Sequence, residues 1–312
     1  MTNRNFVLSL ITKDNDFQQE QAASAEEAAR RLGVGVQVIW AESDSVQQSQ
    51  QVLKYVQCSK ESQPAGILIE PVGGTALPQV ARAAVSAGIA WVVLNREVDY
   101  VTDLRRTFHV PVFQVASDNE EIGRIQGRQL AALMPHGGSV LYIQGPAESY
   151  AAKQRTIGMY ETKPENIQVK TMRGNWTESS AFKAVQSWLK LSTSQHMEIG
   201  VVAAQNDVMA MGARKAFQEL ATSGDRDRWL SLPFTGCDGV PKTGQAWVKS
   251  GNLAATVIAP ALAGQALDVL VRSLKSGVVP PERTLVAPRS CPAPESLAPH
   301  ANNKARNATG SF

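Results

Sequence analysis

The sequence predicts an α/β protein made of two doubly wound, parallel-sheet lobes. Three observations predict it. Short apolar runs without helical period alternate with amphipathic segments at the spacing of βαβ units. The apolar runs close on polar residues, glycine or proline. The alternation lapses once, between Glu97 and Val115, and restarts beyond Ser117, so the 312 residues fall into two domains.

Phe6 to Ile11 reads as the first strand, and a helix from about Asp16 sets Ala22, Ala25, Ala29 and Leu32 on one face before stopping at Gly33. Val34 to Trp40 is the next strand; Ser45 to about Cys58 is helical, with Val46, Leu53 and Val56 as its apolar positions. Ile67-Leu68-Ile69 is a short buried strand ending at Glu70-Pro71. Leu77 to Ala87 is a helix closed by Gly88, and Ile89 to Leu94 a strand ending at Asn95-Arg96. Glu97 to Val115, with Arg105, Arg106, His109 and Pro111, is expected to be a long surface excursion. From Val115-Ala116-Ser117-Asp118 a helix runs through Leu133. Val140 to Ile143 and Ile167 to Met172 follow as strands, Ala151 to Tyr160 and Glu178 to Leu191 as helices.

The clearest unit spans Ile199 to Leu220: a buried strand, then Asn206-Asp207, then a helix with Met209, Ala213, Ala216, Phe217 and Leu220 on one face. Taken alone, Asn206 and Asp207 read as helix caps. Pro233 to Gly239 is strand then loop, Leu253 to Ile258 a strand, and Leu262, Ala266, Val269, Leu270 and Leu274 form a helical stripe ended by Gly277. Beyond Val286 nothing is left to bury, and 292–312 is expected to be a disordered tail.

The apolar fraction of 43% and charged fraction of 19% are those of a soluble globular chain. The net charge of +3 is spread out and gives no reason to expect nucleic acid or an anionic membrane. Cys58, Cys237 and Cys291 lie far apart, so no disulfide scaffold or zinc-finger spacing exists. The histidines His109, His136, His196 and His300 are isolated, leaving no metal site. There is no G-x-S-x-G elbow, Gly33-Val34-Gly35 lacks a dinucleotide fingerprint, and Gly239 to Gly244 fails the Walker pattern, so no cofactor is expected. Asn175 and Asn307 match the glycosylation sequon, a motif short enough to recur by chance.

What recurs is a polar or aromatic residue just past a strand: Asn15 with Phe17, Glu70, Asn95 with Arg96, Trp176, Asn206 with Asp207, and Asp238. Arg155 follows Ile143 in the next helix. In open α/β sheets ligands bind beyond the carboxyl ends of the strands. Arginine, aspartate and asparagine suit vicinal hydroxyls, and Phe17 and Trp176 suit the apolar faces of a sugar ring.

At Ala116-Ser117-Asp118-Asn119, Ala204 to Ala213, Gly236-Cys237-Asp238-Gly239 and Leu253-Ala254-Ala255-Thr256 the chain resembles the ribose-binding branch of the type I periplasmic sugar-binding proteins, whose fold also forms the effector domain of lac-repressor-type regulators. The resemblance runs from about Phe6 to Val286 and implies two lobes joined by a three-strand hinge, with a ligand gripped in the cleft. Carried over by position, it implies pocket residues Asn15, Phe17, Arg96, Ser117, Arg155, Trp176, Asn206 and Asp238. The chain departs from the family at Asn95 (usually Asp), Gln18 (often aromatic), Glu70 (usually Asn) and Ala259 (often Gln). Glu70 thus faces an amine, a hydroxyl or simply a positive side chain. The hinges map near Ser117, Ile258-Ala259 and Val286. The N-terminal lobe is then 3–116 plus 260–284, and the C-terminal lobe 117–259 plus 285–291.

The leading expectation is a non-enzymatic, monomeric solute-binding protein for a sugar or polyol, closing by hinge motion and serving an ABC-type permease or a sensor. It is periplasmic if a signal peptide was removed and cytoplasmic otherwise. The alternative is the sensing domain of a lac-type regulator; only about five residues precede the first strand, too few for a DNA-binding module. A hydrolase of doubly wound fold lacks a nucleophile–base pair.

Overall fold

The computed structural model describes residues 4–73, 77–195 and 197–299. Asn3 at the start of the first lobe, His196, and the tail from His300 with its Asn307 sequon lie outside the described residues. The chain divides into two compact units, passing from one to the other after Asp118, Ala259 and Ala287.

Unit 1 contains β1 (Asn5–Leu10), α1 (Asp16–Leu32), β2 (Gly35–Trp40), α2 (Ser45–Gln57), β3 (Gly66–Ile69), α3 (Pro78–Ser86), β4 (Ala90–Leu94), α4 (Tyr100–Thr107) and β5 (Val112–Ser117). Unit 2 carries α5 (Asn119–Leu133), β6 (Gly138–Gln144), α6 (Tyr150–Thr162), β7 (Ile167–Arg173), α7 (Glu178–Leu189), the short α8 (Ser192–Gln195), β8 (Val201–Ala204), α9 (Asp207–Leu220), α10 (Ser223–Leu230), β9 (Phe234–Thr235), α11 (Gly244–Lys249) and β10 (Thr256–Ile258). The chain returns to unit 1 for α12 (Ala263–Ser276) and β11 (Arg283–Val286), then to unit 2 for β12 (Arg289–Cys291) and a 3₁₀ turn at Pro294–Ser296.

The six strands of unit 1 run parallel in the order β11-β5-β4-β3-β1-β2. Alternate residues of each strand point to opposite faces. Phe6, Leu8 and Leu10 of β1 therefore join α1 and α12 in one core, while Val7 joins Ile67, Trp91 and helices α2 to α4 in the other. The return segment is tied in closely. The Gln21 side chain accepts from the backbone N–H groups of Leu262 and Ala263 at 2.7 and 2.8 Å, capping the start of α12. Gly66 has no Cβ because one would sit 2.8 Å from Leu270.

Unit 2 has a four-stranded parallel sheet, β7-β6-β8-β9, and a small antiparallel pair, β10-β12. One face packs on α7, α9 and α10, where Phe217 stacks on Trp229 at 5.0 Å; the other packs on α5 and α6.

The stretch 97–115 departs from the expected excursion. Val98, Val101 and Leu104 are buried, with α4 over the last two, and β5 begins at Val112. The apolar spacing suffices for two helical turns, and Phe113 anchors the strand. Residues 285–287, assigned from sequence to the second lobe, belong to unit 1, where Leu285 and Val286 pair with Ala116 and Ser117. The expected disorder from Pro292 does not hold for 292–299: the 3₁₀ turn follows β12, and Leu297 packs on the α5 side of the core.

Candidate functional site

In each unit the candidate residues lie at or past the carboxyl ends of parallel strands, except Arg155, which stands in the helix that follows β6. In unit 1, Asn15 follows β1 and caps α1, its Oδ1 accepting from the Gln18 N–H at 3.2 Å. Phe17 is nearly buried in the first turn of that helix. Glu70 follows β3 and is only 2% exposed. Its Oε2 accepts from Gln18 Nε2 at 2.8 Å and its Oε1 from Asn95 Nδ2 at 3.1 Å. The amide of Gln18 is oriented by the Ile11 N–H, which donates to its Oε1 at 3.0 Å. Gln48 Nε2 in turn donates to the Glu70 carbonyl at 2.9 Å. Asn95 adopts φ of 54°, a left-handed conformation that asparagine tolerates. The next residue, Arg96, has its Nε buried without a hydrogen-bond partner among the described residues. Ser117 is buried at the end of β5.

Unit 2 gathers its candidates around one guanidinium. Arg155, 6% exposed on α6, donates from Nε to Asn119 Oδ1 at 3.0 Å and from one Nη to the Gln205 carbonyl. The same nitrogen is 3.6 Å from Asp238, and the guanidinium stands 5.5 Å over the Trp176 ring. Trp176 and Asp238 both have positive φ, 60° and 97°. Such backbone is costly for non-glycine residues and clusters at binding sites. Gly145 clears the space for the indole: a Cβ there would lie 2.2 Å from the ring.

Asn206 and Asp207 make different contacts. Asn206 caps α9 through the Met209 N–H at 3.0 Å and donates its Nδ2 to the Trp176 carbonyl at 3.1 Å. Asp207 is buried and latches the loop bearing Asp238. Its Oδ2 accepts from the Gly239 N–H at 2.7 Å and its Oδ1 from the Thr256 hydroxyl at 2.6 Å. Gly236 and Gly244 pack so closely that a Cβ on either would strike its carboxyl group. Burial pushes the Asp207 carboxyl well above the ordinary carboxylate range, and nearby Asp238 adds to this. Burial likewise raises the Cys237 thiol, which leaves it protonated and unreactive.

Asn15, Glu70, Asn95 and Gln18 thus share one network in unit 1, and Arg155, Trp176, Asn206 and Asp238 another in unit 2. Sequence reasoning missed Asn119, Gln205 and Gly145 as parts of the second. Gln205, just past β8, had the same positional signal as Asn206; it accepts from the Gly145 N–H at 2.8 Å. A cavity of about 360 Å³ in unit 1, beside Phe108, Leu274 and Val279, holds none of the candidates; nor does one of about 460 Å³ in unit 2, beside Arg214, Leu232 and Leu297.

Two parallel sheets with polar clusters at their strand ends define an α/β binding protein of two units. Residues 6–277 match the periplasmic binding protein domain, and the chain belongs to that family, one of binding proteins. It is 28% identical over 257 residues to the ribose import binding protein of Salmonella typhimurium, covering 82% of this chain and 79% of that protein. It is 24% identical over 288 residues to the D-apiose import binding protein of Paraburkholderia graminis, covering 90% and 85%. Among solved structures it shares its fold with a galactofuranose binding protein, at a TM-score of 0.77 and 24% identity over 92% of this chain and 94% of that one. It also shares it with a Bacillus halodurans solute binding protein holding myo-inositol, at 0.75 and 23% over 95% and 96%.

Proposed function

We propose that the chain is a solute-binding protein that captures a sugar or related polyol between its two units and closes on it by hinge motion. It delivers the ligand to an ABC-type import permease or a sensor, and acts as a periplasmic monomer without catalysing a reaction. Arg155, Asp238 and Trp176 would grip the ligand from unit 2, and Asn15, Phe17, Asn95 and Arg96 from unit 1, with Ser117 beside the crossing. A ligand touching both units favours the closed form by its differential affinity for it.

The observation that carries this reading is the Arg155–Asp238–Trp176 cluster in a chain of this family. A charged pair beside an indole provides hydroxyl partners and an apolar platform at one place. The test is calorimetric titration with D-ribose, D-allose, L-arabinose and myo-inositol, on the wild type and on Asp238→Ala. Saturable binding of at least one, lost in the variant while its thermal transition persists, supports the reading. Unchanged affinity in Asp238→Ala removes that residue from the site, and no binding at all overturns the reading.

A further inference from the structure

Glu70 is a buried candidate carboxylate to which the described residues bring no opposite charge. Its carboxylate is enclosed, yet both hydrogen bonds it accepts come from neutral amides, Gln18 and Asn95. Both amides are oriented with the NH₂ toward it, Gln18 because its own oxygen is taken by the Ile11 N–H. Among the described residues it makes no ion pair. Unit 2 is different, since Arg155 stands 3.6 Å from Asp238 and those charges offset each other. A buried carboxylate held only by neutral donors is unfavourable until a cation completes it. Each of its oxygens accepts one amide hydrogen and keeps a further lone pair for that cation. Arg96, next to Asn95 in the chain, makes no ion pair with it among the described residues; its Nε is buried without a partner among them, a donor for a ligand oxygen.

Building on the solute-binding reading above, we infer that the preferred ligand is an amino-substituted sugar or polyol, whose ammonium group sits against Glu70 and whose hydroxyl oxygen meets Arg96. A neutral polyol offers Glu70 only a hydroxyl, whose hydrogen bond leaves the buried negative charge unneutralised, whereas an ammonium supplies both the hydrogen bond and the opposite charge.

The test uses matched pairs titrated calorimetrically at neutral pH: D-glucosamine with D-glucose, D-galactosamine with D-galactose, and an inosamine with its parent inositol. In the pair that binds, the amino member should bind at least about tenfold tighter. Glu70→Gln should erase that preference, so that the amino and hydroxy members bind with similar affinity. A second arm needs no variant. Raising the pH through the amine's own pKa should weaken the amino member of the pair and leave the hydroxy member unchanged. Binding of hydroxy members with no amino preference overturns the inference and leaves the solute-binding reading standing. A preference that survives in Glu70→Gln, or that ignores the charge of the amine, overturns it too. If no member of any pair binds, this inference falls, while the solute-binding reading is decided by the titration with D-ribose, D-allose, L-arabinose and myo-inositol.

Discussion

Replacing Arg155 with methionine tests the central cluster of unit 2 most directly. The substitution keeps most of the aliphatic stem and removes the charged head. The head donates to Asn119 at 3.0 Å and to the Gln205 carbonyl, stands 3.6 Å from Asp238, and lies 5.5 Å over Trp176. Hydrogen bonds to charged groups contribute about 1.5–3 kcal/mol each, and a cation over an aromatic ring about 0.5–2 kcal/mol. Stranding one partner of a buried pair costs about 3–5 kcal/mol. The Asp238 side chain is 18% exposed, so water recovers part of that cost. The expected loss is about 3 kcal/mol from unit 2. Four of the six tryptophans, Trp176, Trp188, Trp229 and Trp247, belong to that unit, so fluorescence-detected urea unfolding reports on it. With a slope of about 2–3 kcal/mol/M the midpoint should fall by about 1 M or more. Asp238→Asn removes the carboxylate charge that Arg155 offsets, so the double variant should lose less than the sum of the single ones, by about 1 kcal/mol. A cost below about 1 kcal/mol for Arg155→Met, or strict additivity, refutes the argument.

Three further outcomes follow from packing and burial. Gly145→Ala puts a methyl 2.2 Å from the Trp176 ring, so the indole must move. Ligand affinity should fall about tenfold for about 1–2 kcal/mol of stability, and an unchanged dissociation constant would contradict a role for the ring. Gly158→Ala places a Cβ 2.0 Å from the Glu120 carbonyl oxygen, where backbone rather than a flexible side chain must yield. Thermal unfolding should show a loss of about 1–3 kcal/mol as α5 and α6 are forced apart. The Asp207 carboxyl is raised in the folded protein, so its contribution to stability is complete below the unfolded pKa of about 3.9 and declines as pH rises toward the folded value. Asp207→Asn, which can still accept from Gly239 and donate to Thr256, should flatten the stability profile above that point; a parallel profile would show that Asp207 does not titrate in this window.

The sequence made the long elements readable because their signals are local. Asn15 and Gly33 bracket α1 as cap and left-handed terminus, and the Ile199–Leu220 unit appears as β8 and α9. The helix α4 escaped notice because its signal is only Val101 and Leu104, followed by two arginines that read as solvent-facing. Arg105 instead donates to the Val112 and Pro280 carbonyls, the second contact reaching 175 residues along the chain. Polar residues past strands could be picked out as candidates, since strand ends are local features too. Their duties were not legible. That Asn206 holds the Trp176 carbonyl, that Asp207 latches Gly239, and that Asn95, Trp176 and Asp238 take left-handed backbone all depend on contacts between distant segments.

The interrupted course of unit 1 bears on how the protein is made. One face of its sheet is covered by α12, and its outer strand β11 comes from the same late segment, Pro260–Ala287. On the ribosome, the stretch up to Asp118 emerges with Phe6, Leu68, Val92 and Phe113 lacking part of their cover. All of Asn119–Ala259 must be translated before Leu267 and Leu270 arrive to shield them. Unit 2 can gather most of its own core before that late segment is available, so the first unit begun is the last completed.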